Sequence, residues 1–344
     1  MKAFGFSTPF SPHARNYVEL LTLDLEEPRD HDLVVEIKGV AVNPVDTKVR
    51  VNASASPDSP RVLGYDGAGI VRDVGAKVSR FAVGDEVFYA GNIARRGTFA
   101  DFHLVDERIV GRKPKSLTFA DAAALPLTSI TAWELLFDRF GVPRAQSATG
   151  NLLVIGGAGG VGSILIQLAR RLTGLTVIAT ASRPDTVAWC ERMGAHHVIN
   201  HHQPLAPQLE AAGVTQLDLA ASLTKTDLHF EATVDMMRPG GKIGLIDDPG
   251  ALDVSLMKTK ALSLHWEFMF ARPMFETDDM DQQGRLLNEV SNLVDQGVLQ
   301  NTATKSFDEI SIESLNEALA HQASGTAIGK TVLGQTKARL TSAS

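Results

Sequence analysis

Short apolar runs cut by glycine and proline fill the first third of the chain. DLVVEIKGVAV, GAGIVRDVG, GDEVFYAG and GTFADFHLVDERIVGRKP each hold enough β-branched and apolar positions for a strand and end on a turn signal. That spacing predicts a barrel-like β domain rather than a βαβ array. SLTFADAAALPLTSITAWELLFDRF then reads as helices, and from Asn151 the period changes. Leu152 to Ile155 is a continuous apolar run, Ile164, Leu165, Leu168 and Leu172 recur at helical spacing, and Leu175 to Thr180 is a second β-like run. The alternation continues through TVAWCERMGA, HHVIN, LDLAASL, HFEATVDMM and KIGLID, which predicts a doubly wound parallel sheet. Downstream, RLLNEVSNLVDQGVL and IESLNEALAHQAS carry helical spacing, AIGKTVLG reads as a closing strand, and KARLTSAS reads as a frayed tail. The fold class expected is α/β. Residues 1–125 would form the first part of the β domain, 126–268 the doubly wound domain, and 269–344 a return to the first.

The turn between the first strand and helix of the alternating region reads Gly157-Ala158-Gly159-Gly160-Val161-Gly162. Glycines at this GxGxxG spacing let the chain turn tightly, let a pyrophosphate approach the backbone, and let helix pack on strand, so the amides opening the helix are the expected phosphate cradle of a Rossmann domain. Taken alone, the pattern also fits an ordinary structural turn. A carboxylate that holds the ribose 2′-hydroxyl of NAD is expected about 20 residues on, yet Ala181, Ser182 and Arg183 stand there. A hydroxyl and a guanidinium suit a 2′-phosphate, which an acid would repel, and the cofactor expected is therefore NADPH.

Composition narrows the partners. At 344 residues the chain exceeds the usual single-domain size, and 44% apolar with only 6% aromatic residues suits an aliphatic α/β core. A formal charge of −7 argues against nucleic acid or an anionic membrane as partner. No apolar run approaches the ~18 residues of a membrane span, and MKAFGFSTPFSPH lacks the apolar core of a secretory signal, so a cytoplasmic location is expected. Cys190 is the only cysteine, which rules out an intrachain disulfide and any zinc site built on several thiolates.

AVNPVDTKVR, VLGYDGAGIVRDVG, VGDEVFYAG, DAAALPLTSITAWELL, GGAGGVGSILIQLAR, MGAHHVIN and MRPGGKIGLI follow one another over nearly the whole chain. In this order they resemble the medium-chain dehydrogenases/reductases, above all the zinc-free quinone oxidoreductase branch and its zinc-type alcohol dehydrogenase-like subgroup. The resemblance implies a GroES-like catalytic domain, a Rossmann domain inserted before a C-terminal return, a nicotinamide in the cleft between them, and a homodimer paired through the Rossmann sheet edge at ALSLHWEFM. It places Asn43, Asp46 and Tyr65 beside nicotinamide and substrate. Asn43 and Asp46 read equally as helix caps, and Tyr65 either donates to a substrate oxygen or packs in the wall. Thr131, in TAW, lies on the nicotinamide-side helix or caps it. His201 stands where NADPH-dependent relatives often carry tyrosine; it either edges the adenosine or belongs to a surface cluster with His196, His197 and His202. Phe268 and Phe270 belong to core or to a substrate-pocket loop, and Lys330 reads as a solvated strand residue, with reach to the cofactor phosphate as the lesser alternative.

Zinc-dependent members of the family keep a cysteine where this chain has Asn43-Pro44-Val45-Asp46 and a histidine at the centre of what is here Gly64-Tyr65-Asp66. The lobe that carries a structural zinc is replaced by AGNIARRGTFADF. Two carboxylates, Asp46 and Asp66, are a poor zinc set, and no metal is expected. Without a Lewis acid the acceptor must be electrophilic by conjugation, which points to hydride transfer from NADPH to a quinone or an α,β-unsaturated carbonyl. A noncatalytic NADPH-binding or interaction protein is the alternative from another class, and a zinc-dependent alcohol dehydrogenase is the lesser alternative among enzymes. The short-chain dehydrogenase Tyr-x-x-x-Lys pair is missing, since Leu21, Gly69 and Ile93 stand four positions beyond the three tyrosines.

Overall fold

Residues 1–11 and 16–335 are described by the computed structural model; the tail KARLTSAS lies outside them. Met1–Leu127, with the chain from Phe270 onward, forms one compact unit and Thr128–Met269 the other.

Among the described residues eight strands precede residue 127: β1 (Lys2–Phe6), β2 (Glu19–Thr22), β3 (Asp32–Ala41), β4 (Arg61–Val62), β5 (Gly67–Val74), β6 (Glu86–Tyr89), β7 (Phe102–Asp106) and β8 (Gly111–Arg112). The longest, β3, is the hub. Leu33, Val35 and Val40 are fully buried along it, and it pairs antiparallel with both β5 and β7. Its end turns into helix α1 (Pro44–Asn52), with Pro44 in the first turn, where its fixed φ is already helical and no amide hydrogen is lost. Helix α2 (Phe119–Ala123) follows β8 and packs on β3. Strand β1 lies in a smaller sheet between β2 and β4, in a stretch that the apolar pattern of the sequence had not marked as a strand.

The other unit holds β9 (Thr149–Ile155), β10 (Gly174–Thr180), β11 (His197–Ile199), β12 (Leu217–Ser222), β13 (Met237–Leu245) and β14 (Ser263–Trp266), parallel throughout, in the order β11-β10-β9-β12-β13-β14. This is the doubly wound order, in which the chain reverses direction beside β9 and leaves the carboxyl ends of β9 and β10 open to a ligand. Leu153, Ile155, Ile178, Leu217 and Ile243 fill one face of the sheet against the helices. The helices here include α3 (Pro126–Trp133), which opens in the last residues of the first unit, α4 (Gly160–Leu172), α5 (Pro184–Met193), α6 (Leu205–Ala211) and α7 (Thr226–Met236), and of these α6 and α7 supply Leu205, Leu209, Phe230 and Val234 to that face. Helix α6 was hidden in the sequence by Pro204 and Pro207. Pro207 lies in its first turn, where a missing amide hydrogen costs no intrahelical bond. After residue 270, β15 (Ala303–Phe307) and β16 (Lys330–Gly334) return to the first unit, β16 pairing antiparallel with the end of β3. No helix among the described residues is long and apolar enough to cross a membrane.

Candidate active site

Three chain segments meet in the first unit. The end of β3 brings Asn43 and, one helical turn later, Asp46; the approach to β5 brings Gly64, Tyr65 and Asp66; the start of β16 brings Lys330. The Asn43 N–H donates to Asp46 Oδ2 at 2.7 Å, and the Gly64 N–H donates to Asp46 Oδ1 at 3.0 Å. Asp66 Oδ1 accepts the Leu127 N–H at 2.8 Å, while its Oδ2 accepts Asn43 Nδ2 at 2.8 Å and Lys330 Nζ at 2.9 Å. Lys330 Nζ also donates to the Val42 carbonyl at 2.9 Å and to Asn43 Oδ1. An ammonium has three hydrogens, and all three are engaged.

This corrects the sequence reading of Lys330 as solvated. Its side chain is 3% exposed, and three oxygen acceptors replace the water it has lost. Strand spacing alone could not reveal this, because the acceptors come from the β3–α1 corner and the approach to β5. Both ends of the Asn43 carboxamide are likewise committed within the protein. Burial pushes Asp46 up to about 7 against the pull of the Asn43 N–H and Lys330. Asp66 is also raised by burial, with Lys330 and Asn43 opposing. The Tyr65 hydroxyl makes no hydrogen bond to the described residues. Burial, followed by the charge of Asp46, raises its phenol well above the usual range and keeps it a donor. Its ring meets the buried Phe270 edge-on, centroids 5.4 Å apart, whereas Phe268 is 48% exposed.

The donor set does not fit zinc. A catalytic zinc takes three N, S or O ligands around an open position. Here the oxygens of Asp46 are engaged by backbone amides and those of Asp66 by amide and ammonium donors, and the neighbouring positions hold an amide and a phenol. No group of three His, Cys, Asp or Glu able to hold a metal ion occurs among the described residues.

In the second unit β9 runs into Gly156, whose φ of +83° belongs to glycine. The Gly156 N–H donates to Thr180 Oγ1 at 3.0 Å and the Gly157 N–H to the Thr180 carbonyl at 3.2 Å, which ties the turn to β10. The next residue, Ala158, is buried. Helix α4 closes its first bond from the Ser163 N–H to the Gly159 carbonyl at 2.9 Å. The amides of Gly160, Val161 and Gly162 therefore precede the intrahelical ladder, at the positive end of a helix, as an anion site requires. Ser163 Oγ donates to the Gly159 carbonyl at 2.7 Å and accepts Trp189 Nε1 at 2.8 Å, fixing the start of α4 against α5. The glycine pattern gave no sign of this second support, because Trp189 lies on another helix.

The Ala181 N–H donates to the Ile199 carbonyl at 3.0 Å, which carries the pairing of β10 with β11 one residue beyond β10. The Arg183 guanidinium is 42% exposed and lies 3.3 Å from Asp185. The His201 ring packs at 4.5 Å from His202 and 6.2 Å from His229 of α7, and burial lowers its pKa. His196 instead accepts the Val177 N–H through Nδ1. His229 was missed in the sequence, where nothing local links it to His201. Thr131 is buried on α3.

A buried carboxyl pair follows α3. Glu134 opens a π-helical segment, Glu134–Arg139, and meets Glu267, which lies just beyond β14 and accepts Arg139 Nε at 2.9 Å. Burial, and behind it the Glu134 carboxyl, push Glu267 up to about 9. A glutamic acid raised in the fold contributes stability that is complete below its ordinary value of 4.5 and is lost as pH rises toward 9. Glu267→Gln stays neutral and keeps an oxygen for Arg139. Its melting temperature should match wild type near pH 5 and exceed it by on the order of 5 °C near pH 8. A difference that does not change with pH would mean that Glu267 is ionised in the native protein.

Residues 29–115 match the alcohol dehydrogenase GroES-like domain, and residues 160–272 match the zinc-binding dehydrogenase domain. A zinc-type alcohol dehydrogenase-like protein of Staphylococcus epidermidis is 39% identical over 336 residues, 97% of this chain and 99% of its own. The crystal structure of a putative zinc-dependent alcohol dehydrogenase from Rhizobium etli superposes with a TM-score of 0.92 at 52% identity, covering 98% of this chain and 99% of that one. The chloroplastic NADPH-dependent alkenal/one oxidoreductase of Arabidopsis thaliana is 31% identical over 258 residues, 68% of this chain and 61% of that protein. With its GroES-like unit, its doubly wound unit and relatives matched from end to end, the chain belongs to the zinc-type alcohol dehydrogenase-like subgroup of the medium-chain dehydrogenase/reductase superfamily of oxidoreductases.

Proposed function

We propose that the protein is a cytoplasmic NADPH-dependent reductase that passes hydride to a quinone or an α,β-unsaturated carbonyl without zinc. The observation that carries this reading is the assembly of Asn43, Asp66 and Lys330. An internally paired amide, carboxylate and ammonium offer an acceptor carbonyl no Lewis acid, so the acceptor has to be electrophilic by conjugation. The alkenal/one activity in the name of the Arabidopsis relative is of that class.

NADPH, when bound, supplies the hydride. The amides of Gly160 to Gly162 hold the pyrophosphate, Ser182 and Arg183 hold the 2′-phosphate as Arg183 leaves Asp185, His201 flanks the adenosine, and Thr131 lies on the nicotinamide side. Asn43 and Asp46 keep the frame in which Tyr65 donates its hydrogen bond to the acceptor oxygen as negative charge develops there. With its pKa raised, the phenol orients the acceptor while water supplies the proton.

The test is stopped-flow oxidation of NADPH and NADH by quinones, enones and simple aldehydes, using protein stripped with chelator. Quinones or enones should oxidise NADPH, simple aldehydes should not, and Arg183→Ala should weaken NADPH by roughly ten- to a hundredfold with NADH nearly unchanged. Tight NADPH binding without oxidation by any acceptor would favour the noncatalytic reading. Activity lost on chelation and regained only with zinc would overturn the proposal. The same reading includes a homodimer through the outer edge of β14, where Trp266 is 55% exposed. Sedimentation at micromolar concentration should show the dimer, and a monomer would remove that part.

A further inference from the structure

Lys330 is the one group in the first unit's polar assembly whose charge is opposite to that of its neighbours. Its ammonium faces only oxygens: the Val42 carbonyl at 2.9 Å, the Asn43 carboxamide oxygen, and Asp66 Oδ2 at 2.9 Å, with the second buried carboxylate, Asp46, close enough to feel its charge. The residues that carry these oxygens have hydrogen-bond partners other than Lys330. Val42 and Asn43 are held by the β3–α1 corner, where the Val42 N–H donates to the Thr331 carbonyl at 3.1 Å. Asp66 is held by the Leu127 N–H and Asn43 Nδ2. A carbonyl, a carboxamide oxygen and a carboxylate around one point match the three hydrogens of an ammonium and are donors of the type that a hard cation takes, with water completing the roughly six to eight oxygens of Ca²⁺.

We propose that Lys330 is a resident cation in a pre-formed oxygen site, and that shortening it to alanine uncovers a latent binding site for a small alkylammonium or a hard metal ion such as Ca²⁺. The side chain fills the site from the β16 side and supplies one positive charge. A metal ion added to the wild type would meet the ammonium within a few ångströms and be repelled, which keeps the pocket free of metal in a family with zinc-binding members. The inference concerns charge and coordination, stands without the hydride-acceptor reading, and is tested without turnover.

Thermal unfolding of wild type, Lys330→Ala and Lys330→Ala/Asp66→Asn is followed while methylammonium or calcium chloride is titrated, with methanol and sodium chloride as controls for size and ionic strength. Lys330→Ala should melt below wild type and regain a saturable roughly 5–10 °C at a hundredfold excess of methylammonium or Ca²⁺ over its dissociation constant. Wild type and the double variant should not respond. If Lys330→Ala does not fold in plain buffer, dilution from denaturant into either cation should recover it and dilution into sodium chloride should not. The proposal is overturned if Lys330→Ala responds to neither cation, if it cannot be recovered with either, or if all three proteins respond alike.

Discussion

Asp66→Ala is expected to cost about 3–5 kcal/mol of stability, because it leaves the Lys330 ammonium buried without its counter-charge. The change also removes the acceptor of the Leu127 N–H and of Asn43 Nδ2, two donors with no access to solvent. In a unit of this size the loss corresponds to a fall in melting temperature on the order of 10 °C. The sharper comparison is with Asp66→Leu/Lys330→Met, which removes both charges and keeps much of the volume. Replacing a buried ion pair by apolar groups is often neutral, whereas breaking one is not. The double variant should therefore melt closer to wild type than Asp66→Ala does. Differential scanning calorimetry of the three proteins decides it: if the double variant is the least stable, the hydrogen bonds rather than the charge balance hold this corner together.

Gly162→Val should abolish dinucleotide binding. A Cβ at Gly162 would lie 2.5 Å from the Gly156 carbonyl oxygen, 2.6 Å from the Gly157 carbonyl oxygen and 2.8 Å from the Gly157 carbonyl carbon. All three atoms are backbone, so no rotamer relieves the clash, and the start of α4 has to retreat from the turn that β9 and Thr180 hold in place. Moving the helix displaces the amides of Gly160 to Gly162 that are proposed to hold the pyrophosphate. The affinity for nicotinamide dinucleotides should fall by roughly a hundredfold or more, with a lowered melting temperature. Gly159→Ala is the contrasting variant. Its Cβ would meet nothing nearer than the Gly156 oxygen at 3.5 Å, an ordinary contact, so the fold should survive. Any loss of binding then reports how closely the ligand approaches the backbone. Fluorescence titration with both dinucleotides, alongside circular dichroism, separates the effects. Unchanged affinity in Gly162→Val would place the cofactor elsewhere.

Much of the architecture was written in local pattern. The glycine spacing of the turn works over six residues, and its meaning rests on the apolar strand before it and the helical period after it. All three signals lie within one stretch of chain, from Leu152 to Leu172. The missing acid after β10 was likewise a matter of position, because in a βαβ unit the carboxyl end of the second strand follows from chain length. Asn43 and Asp46 were legible as helix caps, and the Asn43 N–H to Asp46 bond is such a cap contact; their commitment to Gly64, Asp66 and Lys330 was not.

The sequence by itself determined where strands and helices alternate, where the glycine-rich turn between β9 and α4 falls, and that thiolate-rich metal sites are excluded, since each depends on neighbours along the chain or on composition. Tertiary structure alone decided the charge state and the commitments of the buried groups. Lys330 and Asp66 lie 264 residues apart and Arg139 and Glu267 lie 128 apart, yet each pair is in contact. Hydrophobic period and turn chemistry act between near neighbours and leave a mark on the sequence. Whether a buried ion keeps its charge depends on which donors and acceptors the fold gathers within about 3 Å, and that has no local signature.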